Sequence, residues 1–396
     1  MPVVLVSVTN DLTTDQRVDR TCQTLQKAGY DVLLIGRHRR NSQKLAPRSY
    51  KMHRIRLLFD KGPLFYAEYN ITLFFYLLFH HFDLLISNDL DTLAANYLAN
   101  RIKRRISRIF HSPPGGKSGK EPAQHGFGHI HDCHEYFRGV PELVGRRFVI
   151  RVWKWIEDAI FPRLKFVIAV NQSIADLYSK EYHNEILVVR NVPFRKSLSA
   201  AMNRSKFGIR EDQKVILYQG AVNVDRGLEE IVGAMKFLET DAVLVIAGIG
   251  DIFESLRKFT DESGVAAKVR FLGQVPFQEL HSMTLMADIG ISIEKDVSVN
   301  YHYCLPNKFL DYIQAGIPVL VSPFPEMKAI VDQYHIGEYI ASHEPESLAR
   351  SIDSMLNNPE KLATYKQNLI KAADDLCWEN EEKTLLLTLE RVTNDE

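Results

Sequence analysis

Residues 301–321 read YHYCLPNKFLDYIQAGIPVLV and place a helix and a buried strand in direct succession. Pro306 opens the predicted helix, which stops at Gly316. Pro318 then leads into the apolar strand Val319–Ser322. Glycine just past a helix end, followed soon by proline, is a common stop signal. The pattern predicts one helix–strand step of an α/β sheet.

The same helix carries a cation and a carboxylate, because Lys308 and Asp311 are three residues apart and share a face. The amide-rich start of a helix in a strand–helix alternation suits an anionic ligand. A phosphate near Lys308 and a hydroxyl-bearing group held by Asp311 together predict a nucleotide-sugar. The alternative is an ordinary surface ion pair, which is common and contributes little.

Composition limits the possible classes of protein. A chain of 396 residues predicts two domains with a large core. Lys+Arg and Asp+Glu both number 49, so no overall charge favours nucleic acid. The four cysteines lack paired spacing, which argues against a zinc cluster or disulfides and favours the cytoplasm. No signal peptide is expected at Met1, and polar residues interrupt the apolar stretch Leu64–Ser87, so no membrane span is predicted.

Strands and helices alternate through the first half of the chain. The apolar runs are typical of parallel strands buried on both faces, and they predict a doubly wound sheet. Residues Ser112–Gly128, rich in Pro, Gly and Lys, predict an exposed, mobile loop. The predicted strands are Val3–Val8, Asp31–Gly36, Arg54–Leu58, Leu84–Ser87, Phe166–Val170 and Ile186–Arg190.

The alternation restarts after a polar, basic stretch, so the fold class is α/β with two Rossmann-like domains. We predict an N-terminal domain over 1–193, a C-terminal domain over 194–374, and a final helix within 375–396 that packs back on the first domain. Such domains face a central cleft, where ligands bind at the carboxyl ends of the strands. The second set of strands is Val215–Tyr218, Ala242–Ala247, Val269–Leu272, Ile289–Ile293 and Val319–Ser322.

Six segments, in order and spacing, resemble the retaining nucleotide-sugar glycosyltransferases of the GT-B fold, in the large group called family four. Each segment alone matches the family only weakly, whereas the succession of all six over nearly the whole chain is specific for it. The segments are VTNDLTTDQRVDR from Val8, DCHEYF from Asp132, YQGAVNVDRGLEEIV from Tyr218, AGIGDIFESL from Ala247, VRFLGQVP from Val269 and LPNKFLDYIQAGIPV from Leu305.

The resemblance implies a donor site in the second domain. Arg226 and Lys308 would face the donor diphosphate, and Asp311 would hold the ribose hydroxyls. Glycines after the strands would let the backbone approach the donor, and the residues after the FLG strand end would cradle the base. The further donor-binding residues implied are Gly220, Gly248, Gly250, Gln274, Val275 and Asn307.

In the first domain, the resemblance implies a catalytic motif of Asp132, His134 and Glu135 facing the donor sugar. His134 would orient that sugar rather than act as the main base; the alternative is a histidine that only packs. The implied acceptor-side residues, in the first loop, are Asn10, Asp11 and Arg17.

The chain departs from the family pattern at three positions. Ala221 follows Gly220 where many members have arginine. Tyr303 stands where relatives carry a glutamate, and Glu294 lies nearby but out of register. The ribose-contacting acid is the shorter Asp311 instead of glutamate.

The implied reaction is a metal-independent hexosyl transfer, in which a nucleoside diphosphate leaves the anomeric carbon. Arg226, Lys308 and the helix start near Asp251 would supply the positive charge, so we expect neither metal nor cofactor beyond the donor.

Two other motifs receive less specific interpretations. The Asp89-Leu90-Asp91 triplet resembles a metal-binding DxD, but its flanking pattern predicts that Asp89 caps a helix. Gly248-Ile249-Gly250 lacks the third glycine of a nicotinamide site, with Phe253 at its place.

Basic segments predict peripheral contact with the inner face of the cell membrane, which suits a glycan or lipid-linked acceptor in surface polysaccharide or other glycoconjugate synthesis. One is the run from Arg101 to Arg108, and the other is an amphipathic helix near 146–156 with Phe148 and Trp155 opposite its basic side. The alternative is a solvated charged face over a core stripe.

Two other functions remain open at this stage. One is a nucleotide-sugar epimerase on the same scaffold. The other is a non-catalytic nucleotide-sugar binding module, which Ala221 and Tyr303 favour.

Overall fold

A computed structural model describes residues 1–111, 127–140, 143–196 and 199–394. The chain forms two compact units, one from Met1–Asn191 plus the chain from Glu381 onward, the other from Val192–Asn380. The predicted loop lies outside the described residues except for its last two, and the second of these, Gly128, begins a strand.

The first unit is built on a parallel sheet in the order β3-β2-β1-β4-β5-β6-β7. The strands are β1 (Val3–Ser7), β2 (Asp31–His38), β3 (Lys51–Arg56), β4 (Leu84–Asn88), β5 (Gly128–Cys133), β6 (Phe166–Ala169) and β7 (Ile186–Val188). The helices between them are α1 (Gln16–Lys27), α2 (Gly62–Phe79), α3 (Leu90–His111), α4 (Arg147–Ile160) and α5 (Gln172–Tyr182). The strand order reverses between β1 and β4, and the carboxyl ends of these strands are where such sheets bind ligands.

The central strand β5 was not predicted. Its sequence GHIHDC alternates apolar with polar residues, although the strand is mostly buried between β4 and β6. The Ser87 hydroxyl hydrogen-bonds both His129 Nε2 (2.8 Å) and His131 Nδ1 (2.9 Å). Buried imidazoles are tolerated here because their polar atoms find a partner inside the sheet.

The second unit repeats the design with the order β10-β9-β8-β11-β12-β13, again all parallel. The strands are β8 (Lys214–Gln219), β9 (Ala242–Ala247), β10 (Val269–Gly273), β11 (Ile289–Ser292), β12 (Val319–Val321) and β13 (Gly337–Tyr339). The helices are α6 (Leu228–Ala234), α7 (Phe253–Glu262), α8 (Phe277–Thr284), α9 (Val299–His302), α10 (Asn307–Gln314), α11 (Pro325–Tyr334), α12 (Pro345–Leu356) and α13 (Pro359–Asp375). The predicted α/β class with two Rossmann-like units is confirmed.

Residues 301–321 fold as predicted. Helix α10 begins after Pro306 and ends two residues before Gly316. The Gly316 N–H donates to Ile313 O (3.0 Å) and the Ile317 N–H donates to Tyr312 O (2.9 Å), which is the bonding pattern of a glycine-terminated helix. Strand β12 then lies between β11 and β13, so α10 is fixed beside the centre of the sheet.

The last helix, α14 (Trp378–Asn394), starts in the second unit and continues in the first. Trp378 is fully buried and its N–H donates to Pro193 O. Within the first unit, Glu381 pairs with Arg190 at 2.6 Å, and the Thr24 hydroxyl donates to Glu382 (2.9 Å). The helix therefore contributes packing and ion pairs to the first unit.

Candidate active site

A buried carboxylate, Glu294, lies just past the end of β11 in the second unit. Its Oε1 is 2.5 Å from Lys308 Nζ and 3.5 Å from Arg226 Nη1. The Ser292 hydroxyl donates to its Oε2 at 2.9 Å. One carboxylate therefore holds two cations from two separate segments of the chain, a group we call the Glu294 cluster.

The charges of the Glu294 cluster stabilise one another. Burial alone would raise the pKa of Glu294, but Lys308 and Arg226 outweigh burial and lower the pKa of that carboxyl. Burial alone would lower the pKa of Lys308, yet the carboxylate outweighs it and raises the pKa of the ammonium. All three groups therefore stay charged near neutral pH, and the cluster carries one positive charge in excess.

Both cations also lie over aromatic rings. Lys308 Nζ is 4.4 Å from the centre of the Tyr218 ring, and Arg226 Cζ is 4.6 Å from that of Tyr301. Such contacts hold a cation in place without neutralising it. Because Lys308 is buried with its ammonium on Glu294, the alternative of an ordinary surface ion pair is wrong.

Arg226 is brought to Glu294 by the glycine that follows it. Gly227 has φ +73° at the start of α6, a conformation that favours glycine. A Cβ there would lie 2.4 Å from Ile293 O, so the backbone passes directly over the end of β11. The Arg226 side chain remains 24% exposed, and its Nε is buried with no hydrogen-bond partner in the described part of the chain.

Asp311 is half-buried and lies three residues beyond Lys308 on α10. Gln219 Nε2 donates to Asp311 Oδ2 (3.1 Å), and Gln219 Oε1 accepts from the Thr284 hydroxyl (2.7 Å). The carboxylate is thus oriented by an amide at the end of β8 that the sequence analysis did not single out. Asn307 is exposed in the first turn of the same helix.

The predicted donor-site glycines lie in loops at the carboxyl ends of β8 and β9. A Cβ on Gly248, at φ +150°, would lie 1.8 Å from Gly220 O, so the two loops are in direct contact. Gly250 approaches Val222 in the same way. These glycines therefore have a packing role, and their role toward a donor stays a prediction.

The remaining predicted donor residues lie near these loops. After β10, Gln274 is exposed and Val275 is half-buried against the core. The Ala221 carbonyl accepts from the Tyr218 hydroxyl at 2.6 Å. The predicted helix start near Asp251 begins at Phe253, and the Asp251 N–H donates to Asn223.

A second charged group, which we call the Asp132 cluster, lies at the carboxyl ends of β4 and β5 in the first unit. Asp132 is fully buried and receives two hydrogen bonds from Arg17, Nε to Oδ2 at 3.0 Å and Nη2 to Oδ1 at 2.6 Å. Arg17 Nη1 also donates to Val189 O at 2.5 Å. The expected position of Arg17 in the first loop is wrong, because it lies buried in the first turn of α1 with its guanidinium bound to these partners.

His134 joins the Asp132 cluster. Its Nε2 lies 3.3 Å from Asp132 Oδ2 and 3.0 Å from Asn88 Oδ1, and its Nδ1 lies 3.7 Å from Asp89 Oδ2. Burial alone would lower the pKa of His134, but Asp89 and Asp132 outweigh it and raise the pKa to about 9. The imidazole is therefore charged near neutral pH, and its role toward the donor sugar stays a prediction. Glu135, next in the chain, is half-buried.

The predicted capping role of Asp89 is wrong. Asp89 has φ +58°, and its Oδ1 accepts from the His134 N–H at 2.8 Å instead of from an amide of α3. Asp91 accepts from the Thr9 hydroxyl at 2.6 Å, and burial with the nearby Asp89 raises the pKa of Asp91 to about 7. Among the residues that the structure describes, no group of three or more His, Cys, Asp or Glu side chains could hold a metal ion.

The first loop is held by its own polar side chains. Asn10 Nδ2 donates to Asp15 Oδ2 (2.8 Å), and Asn10 Oδ1 accepts from the Leu12 N–H (2.9 Å). Asp11 Oδ1 accepts from the Thr13 hydroxyl. The loop is therefore held in place beside the end of β1, with Asn10 and Asp11, two of the three predicted acceptor-side residues, half-buried.

Helix α4 exposes a row of large apolar side chains. Phe148 is 75% and Trp155 is 72% exposed, with Val152 between them. Arg147 and Arg151 are exposed on the same helix. The alternative, a charged face over a core stripe, is wrong for this row. Within the described ranges, no helix is both long and apolar enough to cross a membrane.

Comparisons with known proteins place these observations in a family. The family model described as Glycosyltransferase Family 4 matches residues 15–192, and the one described as Glycosyl transferases group 1 matches residues 200–372. An uncharacterized glycosyltransferase of Methanocaldococcus jannaschii is 31% identical over 39% of this chain and 39% of its own length. The alignments span 39 to 62% of the length of the three curated relatives.

Solved structures share the fold over the entire chain. Sucrose-phosphate synthase from Thermosynechococcus elongatus superposes with a TM-score of 0.75 at 16% identity, covering 100% of both chains. Anabaena HepE, crystallised with UDP and glucose, superposes with a TM-score of 0.70 at 13% identity, covering 99% of this chain and 100% of that chain. Since the two family models match in succession, the protein belongs to the group 1 glycosyltransferases, and the whole-chain likeness to the solved structures shows the GT-B fold.

Proposed function

We propose that the protein is a retaining glycosyltransferase, which moves a hexosyl group from a nucleotide-sugar to a glycan or lipid-linked acceptor. The observation that carries this proposal is the Glu294 cluster, in which one buried carboxylate positions Arg226 and Lys308 with a positive charge in excess. The likeness to HepE, which binds UDP and glucose, supports a nucleotide-sugar as the donor.

The chemistry requires such a cluster, because negative charge builds on the diphosphate as the bond to the anomeric carbon breaks. Positive groups that are already in place stabilise that charge without reorganising. The buried Arg226 Nε, which has no partner within the described chain, is a donor available to a phosphate oxygen. In this proposal the two cations do the work that a divalent metal does elsewhere, and no cofactor is needed.

The first unit contributes His134 to the proposed mechanism as a hydrogen-bond donor to the sugar. Because Asp89 and Asp132 keep the imidazole charged near neutral pH, it is poorly suited to accept the acceptor's proton. Instead, an oxygen of the leaving phosphate accepts the proton of the acceptor hydroxyl, on the face of the sugar from which the phosphate departs. Asp132 and Glu135 complete the proposed catalytic motif around His134. In the first loop, Asn10 and Asp11 are proposed to face the acceptor.

A panel of nucleotide-sugars tests the proposal. Wild-type protein is incubated with each, with and without a chelator, and the products are separated and their anomeric configuration read by NMR. We expect slow transfer or hydrolysis with retained configuration, unchanged by the chelator. An isomerised sugar would favour the epimerase, binding without turnover would favour the binding module, and loss on chelation would contradict metal independence.

The matched control for the donor site is Arg257→Ala, since Arg257 is an exposed arginine in the middle of α7. We expect turnover close to wild type for this variant. Arg226→Ala, in contrast, should abolish most turnover. Equal turnover of the two variants would contradict the assignment of Arg226 to the diphosphate.

We also propose that the protein contacts the inner face of the cell membrane through α4. Exposed Phe148 and Trp155 beside exposed Arg147 and Arg151 suit an anionic lipid surface. Flotation with anionic vesicles tests this, and we expect binding that weakens with salt and with Trp155→Ser. Absence of any salt-sensitive binding would contradict the proposal.

A further inference from the structure

A cavity of about 530 Å³ opens at the amino-terminal edge of the first sheet, where β5 and β6 begin. His129, the second residue of β5, lines it, whereas His134 and the Asp132 cluster follow the opposite end of the same strand. The cavity is therefore distinct from both charged clusters already described. Six cationic side chains line it: Arg101, Arg104, Arg105, Arg108, Arg163 and Lys165.

Four of these cations come from one face of α3. Arg101, Arg104, Arg105 and Arg108 are spaced i, i+3, i+4 and i+7, which places their side chains side by side. Like charges at these spacings repel and destabilise a helix. No acidic residue is among the described side chains that line the cavity. An anion in the cavity would therefore face the positive charge of all four side chains.

The wall of the cavity is held in place by hydrogen bonds. Arg104 Nε donates to Phe127 O at 2.8 Å, and Asn100 Nδ2 donates to Phe127 O (2.6 Å) and Gly128 O (3.1 Å). Helix α3 is thereby fixed to the start of β5. His129 Nε2 is bonded to Ser87, and burial with the neighbouring His131 and Arg104 lowers the pKa of His129 to about 3. The positive charge of the cavity thus comes from its arginines and Lys165, not from histidine.

We propose that this cavity binds a phosphate-bearing polyanion at a site separate from the proposed donor site. Guanidinium groups bind phosphate through paired, charge-assisted hydrogen bonds, and arginine is preferred over lysine where that geometry matters. The volume lies within the range of small-ligand sites, about 300–1,000 Å³. A soluble phosphorylated molecule and a phosphorylated lipid head group share this chemistry. The inference does not depend on the proposed transferase activity.

Calorimetry with inorganic tripolyphosphate tests the site. Because tripolyphosphate can also bind the Glu294 cluster, the full-length chain is titrated in an Arg226→Ala background. Adding Arg101→Glu and Arg105→Glu, both exposed positions, should weaken binding at least tenfold without lowering the thermal midpoint. The control, Arg257→Glu with Arg350→Glu, changes the net charge equally at exposed positions of the second unit and should bind as its parent does.

A second arm distinguishes the source of the phosphate. The same variants are floated with phosphatidylcholine vesicles with and without phosphatidylglycerol. Loss of tripolyphosphate binding in the α3 variant supports the proposal with a soluble ligand. Loss confined to phosphatidylglycerol vesicles supports it with a lipid head group. If the α3 variant matches the control with both probes, the proposal is overturned.

Discussion

Both charged clusters lie at the carboxyl ends of strands in their sheets, but they differ in how fully their charges cancel. In the first unit, Asp132 and Asp89 face Arg17 and His134, so two negative charges meet two positive ones. In the second unit, Glu294 alone faces two cations. The first unit thus holds a closed ion cluster, in which the charges balance, whereas the second holds one with a positive charge left for a ligand.

The arginine of the first cluster also differs in exposure from that of the second. The side chains of Arg17 and Asp132 are 3% and 1% exposed, whereas Arg226 is 24% exposed. A fully buried ion pair stabilises the fold, whereas a partly exposed cation can contact a ligand in place of water. We therefore expect substitutions in the first cluster to lower stability and substitutions in the second to lower turnover.

The largest effect on stability is expected for Arg17→Met. Removing the arginine leaves Asp132 buried without its bidentate partner, and breaking a buried pair in this way costs about 3–5 kcal/mol. Urea denaturation of the whole chain should show a clearly lower midpoint. The double variant Arg17→Met with Asp132→Leu should recover most of the loss, because no buried charge remains. A loss below about 1 kcal/mol for Arg17→Met would contradict the closed-cluster description.

The next largest effect is expected on turnover, for Arg226→Ala. Loss of one preorganised donor to a developing negative charge lowers kcat by about 100- to 1,000-fold, or roughly 3–4 kcal/mol. Stability should change little, since Lys308 still faces Glu294 at 2.5 Å. Steady-state kinetics with the donor chosen by the panel, alongside denaturation, measures both quantities. Unchanged kcat with a large drop in stability would show that Arg226 stabilises the fold and does not serve turnover, which contradicts the contrast between the two clusters.

Lys308→Met should destabilise the chain by less than Arg17→Met, about 2 kcal/mol, because Arg226 remains to face Glu294. Turnover should fall as well. Adding Glu294→Leu should restore stability but not turnover, which separates the two roles of the cluster. If the double variant regained turnover, neither cation would be positioned by Glu294 for catalysis.

Effects of pH on stability are expected to have opposite signs for two nearby histidines. Burial lowers the pKa of His131 to about 4, despite opposing contributions from Asp132 and Ser87. The unfolded chain then binds more protons below pH 6.5, so stability falls on acidification, by roughly 1 kcal/mol at pH 5.5. His134, with its pKa raised to about 9, contributes stability that is complete below pH 6.5 and lost as pH rises through 9.

Urea midpoints at pH 5.5, 6.5, 7.5 and 9 test these signs. His134→Gln should flatten the alkaline side of the profile, and His131→Asn should reduce the acidic slope, leaving the part that the lowered pKa of His129 contributes. A wild-type profile that rises steadily from pH 6.5 to 9 would contradict the environment assigned to His134.

Most of the fold could be predicted from the sequence because many strands, such as β9 and β12, are continuous apolar runs. Strand β3 (KMHRIR) begins three residues earlier than predicted, and β13 (GEY) was missed, because neither is such a run. Strand β5 escaped that pattern, since His129, His131 and Asp132 break its apolar character although Ser87 bonds both imidazoles. The helix and strand after Pro306 were predictable because their boundaries follow local backbone rules. A strand such as β5 cannot be recognised by local rules, because its polar side chains are hydrogen-bonded by residues far away in the sequence.

The candidate site was only partly predictable for the same reason. Arg226 and Lys308 could be singled out, but the carboxylate that holds them is 68 residues from Arg226 along the chain and was set aside as out of register. Arg17 and Asp132 are 115 residues apart, so their pairing left no local pattern. A glutamate directly after a buried strand was the one available sign, because a buried charge requires a partner.

The most direct test of the account is a crystal structure of the protein with a bound nucleoside diphosphate, beginning with UDP. We expect phosphate oxygens within about 3 Å of both the Arg226 guanidinium and Lys308 Nζ, with Glu294 still beneath the two cations. A diphosphate bound elsewhere on the chain, or held through a divalent metal with neither cation in contact, would contradict the central claim.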